Sequence, residues 1–131
     1  MPPIRNTDND RLAKTLGFEC VQSAFGRAVA RATARDAFLN GVDIAHGGFL
    51  FSLADYASAL AANADGRTAI SSGASIDYLS PCPKDAVVEA VATIPYSDER
   101  TALCEVSIAD AESGKVFAMF RSRMIFKKKP L

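Results

Sequence analysis

The reading of this chain turns on the stretch from Asn40 to Asn63, Asn-Gly-Val-Asp-Ile-Ala-His-Gly-Gly-Phe-Leu-Phe-Ser-Leu-Ala-Asp-Tyr-Ala-Ser-Ala-Leu-Ala-Ala-Asn. From Phe49 to Ala62 it is rich in Ala and Leu, contains no Pro or Gly, and carries a single charge, Asp55. Such a segment reads as a helix that is apolar almost all the way round and therefore belongs inside the protein. A carboxylate in the middle of it is costly to desolvate unless something pairs with it, so Asp55 is a candidate functional group. The bland alternative puts Asp55 at a helix edge, facing solvent or a subunit contact. Gly47 and Gly48 stand at the helix start, where the first N–H groups lack intrahelical acceptors and where a ligand can approach the backbone closely. Those N–H groups, with the helix dipole behind them, suit an oxygen that is gaining negative charge.

The composition bounds the rest. A length of 131 residues, 49% of them hydrophobic, suits one domain spanning residues 1–131, with a core large enough to need no staples. The 15 basic and 15 acidic residues cancel, which gives no electrostatic ground for a nucleic-acid or anionic-membrane partner. Cys20, Cys82 and Cys104 are an odd number at wide spacings, with one His to join them, so neither a zinc site nor a disulfide framework is expected. The N-terminal residues carry no apolar signal-peptide core, and no apolar run is long enough to span a bilayer; a soluble, cytoplasmic protein is expected.

Outward from the central helix, Asp8 to Leu16 reads as a short capped amphipathic helix ended by Gly17. From about Phe25 to Phe38, Ala28, Ala30, Ala32 and Ala34 alternate with Val29, Arg31, Thr33 and Arg35, the period of a half-exposed strand. Asn40 to Ala45 is a loop. After the helix, Ala69 to Leu79, Asp85 to Ile94, Thr101 to Ala109 and Val116 to Phe126 read as strands, with turns at Pro95 to Arg100 and Asp110 to Lys115. On the last strand Val116, Ala118, Phe120, Met124 and Phe126 share one side, Arg121 and Arg123 the other. The tail Lys127-Lys128-Lys129 reads as solvated. The expected class is α+β, a five-stranded antiparallel sheet with the helix against one face.

Chemically, a carbonyl attacked by or through Asp55 while its oxygen rests on Gly47 would need both groups about 3 Å from one reacting group. Eight residues of helix separate them, about 12 Å. One chain does not supply both halves, but a two-fold dimer with antiparallel central helices does.

The run His46-Gly47-Gly48-Phe49-Leu50-Phe51-Ser52-Leu53-Ala54-Asp55 resembles the His-Gly-Gly motif of hotdog-fold acyl-CoA thioesterases, most closely the phenylacetic-acid-degradation type called PaaI. The Asp10-Arg-Leu-Ala-Lys-Thr-Leu-Gly17 segment, Leu39 to Gly41 and Ser75-Ile-Asp-Tyr-Leu-Ser-Pro81 extend the resemblance over almost the whole chain. It implies a sheet wrapped around the helix, a homodimer with a continuous sheet, and dimers pairing into tetramers. It also implies an Asp55 that attacks the thioester or activates a water, and a Gly47 N–H that polarises the carbonyl. Asn40 matches a position that binds the water or the thioester group, and His46 one near the sulfur.

The bland readings are that His46 holds the Gly-Gly turn and that Asn40 caps its loop. Ser71 and Ser72 both fall near a serine that assists hydrolysis in some members; adjacent strand residues face opposite ways, so at most one serves. Gly48, Tyr78 and the turn holding Ser97, Arg100 and Thr101 match substrate or coenzyme A positions. No cofactor or metal is implied, the coenzyme A thioester being the substrate. Phe49 and Tyr56 are candidates for an aromatic acyl slot, giving (hydroxy)phenylacetyl-CoA or a related aryl ester as the expected substrate. A medium-chain ester, a hydratase acting on the same class of thioester, and a non-catalytic acyl-CoA binding protein are the alternatives.

Overall fold

The computed structural model describes residues 6–127; the remaining lysines of the terminal tail, Lys128 and Lys129, lie outside the described residues. A 3₁₀ turn at Asn6–Asn9 leads into helix α1 (Arg11–Leu16), which Asp10 caps through its side chain and Gly17 ends in the left-handed conformation, φ 73°. Strands β1 (Glu19–Ala24) and β2 (Arg27–Thr33) follow. A 3₁₀ turn at Asp36–Phe38 and a loop then deliver the chain to α2 (Gly47–Asn63). Strands β3 (Ala69–Tyr78), β4 (Val87–Ser97), β5 (Thr101–Asp110) and β6 (Val116–Phe126) complete the chain.

The six strands form one sheet in the order β1-β2-β4-β5-β6-β3, antiparallel throughout. The five-strand expectation is corrected by one. Phe25 and Gly26 form a hairpin turn, so the expected strand starts at Arg27, ends at Thr33 and gains β1 as a partner. β1 escaped notice because it is an edge strand whose residues are nearly all exposed, leaving no alternation to read. Further along, β4 runs past Ile94 through Pro95 and Tyr96 to Ser97, the irregularity falling between Thr93 and Tyr96. Proline is tolerated in a strand at such a bulge. The turn then shrinks to Asp98–Arg100, where the Asp98 carboxylate accepts from the Arg100 and Thr101 amides at 2.9 and 2.8 Å.

Helix α2 lies across the sheet, chiefly over β2, β4 and β5. Small residues meet small residues there: Ala54, Ala57 and Ala61 of the helix and Ala28, Ala30, Ala90 and Ala92 of the sheet are all fully buried, which lets the helix approach closely. Leu53, Leu50 and Leu60 fill the wider gaps. Ser58 and Asn63, two polar groups on the helix, are paired. Ser122 Oγ lies 3.3 Å from Ser58 Oγ, and Asn63 ties the helix end to the start of β3 by accepting from the Ala69 amide at 2.9 Å.

Because Leu53 is fully buried in this layer, Leu53→Ala is expected to lower stability by about 2–5 kcal/mol through lost transfer energy and the cavity left behind. Urea unfolding checks it; a loss under 1 kcal/mol, the low end for trimming a buried methyl group, would show that the layer collapses around the gap.

Candidate active site

His46 sets the geometry of the helix start. It is the N-cap, with extended backbone, and its Nδ1 accepts from the Gly48 amide at 2.9 Å. That bond requires an Nδ1 without a proton, so the neutral ring carries its hydrogen on Nε2. The His46 carbonyl accepts from the Phe49 and Leu50 amides at 2.9 and 3.3 Å. Of the four first-turn amides, Gly47 alone has no acceptor among the described residues. Sequence reasoning expected bare amides at both glycines; the Gly48 amide is occupied by the cap, so the donor that the helix dipole leaves free is the Gly47 N–H.

Gly47 opens on a cleft of about 380 Å³, lined also by Asn40, Leu50, Tyr78, Ser80 and Cys82. Asn40 does cap its loop, Oδ1 accepting from the Val42 and Ile44 amides at 3.0 and 3.3 Å. That leaves its Nδ2 with no partner among the described residues, beside the Gly47 cleft. Tyr78, matched in sequence to coenzyme A contacts, instead donates its hydroxyl to the Gly47 carbonyl at 2.9 Å.

Asp55 lies two turns further along α2, in a separate cleft of about 130 Å³ lined by Asp10, Leu12, Ala13, Phe18, Phe51, Ser52 and Tyr56. It takes no hydrogen bond or ion pair among the described residues. Burial, and after it the negative charge of Asp10, pushes its carboxyl above the ordinary carboxylate range. The two clefts share no lining residue, and the helix holds Asp55 about 12 Å from Gly47 along its axis. Tyr56 lines the Asp55 cleft as expected. Phe49 does not: it is buried, stacked on Phe38 with ring centroids 5.1 Å apart and tilted against Phe18 at 5.9 Å, and so belongs to the core.

The two serines separate by face. Ser72 Oγ donates to the Arg123 carbonyl at 3.2 Å and accepts from Arg123 Nε at 3.0 Å, which commits it to the outer, charged face. Ser71 stands opposite Met124, whose side chain is buried on the helix side, so Ser71 has the inward face. Ser97, Arg100 and Thr101 gather at the β4–β5 turn; Arg100 and Thr101 line a depression of about 790 Å³ with Glu99 and Lys127. That turn abuts Phe126, which pairs with Ala69 beside the C-terminal end of α2, far from Tyr78 at the other end of β3. No cysteine competes as nucleophile in the interior: burial, then Asp110, pushes the Cys82 thiol up to about 11, and burial raises Cys104 as well.

One chain thus holds the expected residues in separate places: Asn40, Gly47 and Tyr78 together, Asp55 apart, the β4–β5 turn at the opposite end. Sequence reasoning missed Phe51 and Ser52, which line the Asp55 cleft from four and three residues upstream, a helical spacing that was available to read. Asp10 and Phe18 arrive from distant sequence and leave no local signal.

Comparison with known proteins identifies the fold and the family. The thioesterase superfamily model matches residues 43–117. The chain is 35% identical over 116 residues to the Escherichia coli acyl-coenzyme A thioesterase PaaI, covering 88% of this chain and 82% of that protein. The solved structure of the E. coli PaaI protein from the phenylacetic acid degradation operon superposes with a TM-score of 0.88 at 34% identity, over 92% of this chain and 86% of that one. A mutant of the phenylacetic acid degradation protein PaaI of Thermus thermophilus gives a TM-score of 0.84 at 35% identity, over 88% and 98% of the two chains. With its helix wrapped by an antiparallel sheet and its family model spanning the central motif, the chain belongs to the thioesterase superfamily and is a thioester hydrolase of the hotdog fold.

Proposed function

We propose that the protein hydrolyses acyl-CoA thioesters, with Asp55 of one protomer and Gly47 of its partner acting on the same carbonyl. The observation that carries this reading is a complementary pair on one helix: a desolvated carboxylate and one amide, each without a partner among the described residues, in clefts that a single chain keeps apart. A likeness to a protein named acyl-coenzyme A thioesterase supports the substrate class.

The chemistry follows from the charges. Asp55 takes a proton from a water whose oxygen adds to the carbonyl carbon, or it adds directly to give a mixed anhydride that water then opens. In both routes negative charge builds on the carbonyl oxygen and is met by the Gly47 N–H, backed by the helix dipole. Collapse breaks the carbon–sulfur bond, and the products are the free acid and the coenzyme A thiol. Asn40 Nδ2 stands where it can hold the water or the thioester oxygen beside Gly47. Ser71, on the helix-facing side of β3, is the serine suited to assist.

A second copy also answers a problem in the sheet. β3 is an edge strand of ten residues with one charged side chain, Asp77, and exposed Ile70 and Tyr78, the kind of edge that pairs with another chain unless covered. Two-fold pairing of β3 with itself gives a homodimer. Pairs of such dimers would form the tetramer implied by the family resemblance. The acyl group fits beside Asp55 in a slot whose walls include Phe18, Phe51 and Tyr56. Three aromatic walls favour an aryl-acetyl group over a medium-length alkyl chain through ring-on-ring contact. Arg100 and Lys127 at the β4–β5 depression supply positive charge for coenzyme A phosphates.

Asp55→Asn should reduce thiol release by at least about 100-fold. An activity within a few-fold of the parent would remove Asp55 from the chemistry and favour a protein that binds acyl-CoA without cleaving it. Since Asp55 must be ionised to act, the acid limb of kcat/KM should lie above the usual 3.8 of an aspartate, because burial and then Asp10 raise its pKa. The same shift works against folding. With the folded pKa above the unfolded one, ionised Asp55 destabilises the fold at neutral pH, and that penalty fades as pH falls through the folded value. Asp55→Asn is accordingly expected to melt at a higher temperature than the parent at pH 7.

Sharing of the site is tested by mixing two inactive variants, Asp55→Asn and Gly47→Val, unfolded and refolded together. Random pairing in a two-fold dimer should return about a quarter of parental activity, since one site in each mixed dimer is intact. No recovery would place both groups of a site in one chain. Across a panel of coenzyme A esters, phenylacetyl and hydroxyphenylacetyl should exceed octanoyl in kcat/KM; the reverse order would assign a medium-chain substrate.

A further inference from the structure

We infer that Tyr78 is a positioning residue for the Gly47 amide, and that with His46 it fixes the direction in which that one free N–H points. The inference rests on the proposed role of Gly47 and extends it to a residue 31 positions away.

The Gly47 N–H lies in the peptide plane it shares with the His46 carbonyl, and the angle between that plane and the next is set at a residue with no side chain to restrain it. The plane before Gly47 is held at its carbonyl, since His46 O accepts from the Phe49 and Leu50 amides. The plane after Gly47 is held at both ends by side chains. Its N–H, that of Gly48, goes to His46 Nδ1 at 2.9 Å, and its carbonyl, that of Gly47, accepts from the Tyr78 hydroxyl at 2.9 Å. The Gly47 carbonyl also closes the first turn of α2, and Tyr78 adds a second hold on it from outside the helix, so the plane that carries the Gly47 N–H is restrained against the next one.

The ring of Tyr78 makes the same point sterically. A Cβ added at Gly47 would stand 2.9 Å from Tyr78 Oη and 3.0 Å from Cζ, closer than side-chain carbons pack. A side chain at Gly47 would push the exposed phenol away from the Gly47 carbonyl, so the glycine is what lets Tyr78 reach it. Tyr78 ends β3, one of the two edge strands of the sheet, so it also links the helix start to the strand on which a second copy would pair. The phenol is otherwise exposed, so its packing alone gives little reason for it to adopt this position.

The test is Tyr78→Phe, which keeps the ring and removes the donor. Loss of one ordinary hydrogen bond that orients a transition-state contact should lower kcat about fivefold with KM within about twofold. Hydrogen exchange at Gly48, Phe49 and Leu50 should quicken in the same variant. Gly47→Ala should cost less activity in a Tyr78→Ala background than in the parent, because the clash is gone; such non-additivity is the mark of contacting residues. A raised KM with kcat unchanged would mean that the phenol touches the ligand and would overturn the inference, as would unchanged kinetics or penalties that simply multiply. If the parent releases no thiol from any coenzyme A ester, the proposed function fails, and hydrogen exchange alone then judges the pinning: unchanged exchange in Tyr78→Phe overturns it.

Discussion

The seating of α2 against the sheet is the constraint from which the other features follow. A helix that buries most of its circumference tolerates few polar groups, and each one it does carry must be paired or left at an opening. Ser58 and Asn63 are paired, with Ser122 and with the backbone around Ala69. Among the described residues Asp55 and the Gly47 amide are left without a hydrogen bond, and each faces a cleft. The alanine surfaces on helix and sheet make this possible. By letting the helix lie close to the strands, they hold its ends rigidly, so that the Gly47 amide and the Asp55 carboxylate keep fixed places.

The sequence carried most of this. Alternating alanines between Ala28 and Ala34, the polar turns at Asp98 and Asp110 and the long last strand all had physical signals, because burial of one face imposes a period of two. The exposed edge strand β1 had none, since a strand with no buried face has no period, and β4 outran its apparent end because a bulge accommodates Pro95. At the site, composition alone marked Asp55 and the two glycines. What it did not disclose was the division of labour between those glycines, which depends on whether His46 Nδ1 turns back toward Gly48. Nor did it show that Phe49 is core while Phe51, two residues on, lines the slot; a 100° step per residue separates such neighbours, but the facing elements decide which side is which.

Stability and chemistry pull against each other at Asp55. Burial raises its pKa, and the Asp10 carboxylate in the same cleft raises it further, so the protein holds a charge where its own packing disfavours one. Pairing Asp55 with a cation would stabilise the fold and also quench the carboxylate as a base. A carboxylate short of solvent and of partners is more basic than one on the surface, which is the property an attack on a thioester needs.

The rigidity that makes the helix a good platform also prevents it from closing the site alone. An α-helix of 17 residues does not bend enough to bring its first residue and its ninth onto one carbonyl. On the proposed reading a second helix brings the missing half, and two-fold symmetry would supply it without any new sequence, because the same Gly47 and Asp55 would be presented twice. On this account the uncovered edge of β3 and the separation of the two clefts have one cause. If Gly47 meets the developing negative charge and Asp55 is the base, as proposed, a chain that carries both on one straight helix needs a copy of itself, and the strand whose last residue bonds to Gly47 is the place where that copy would join.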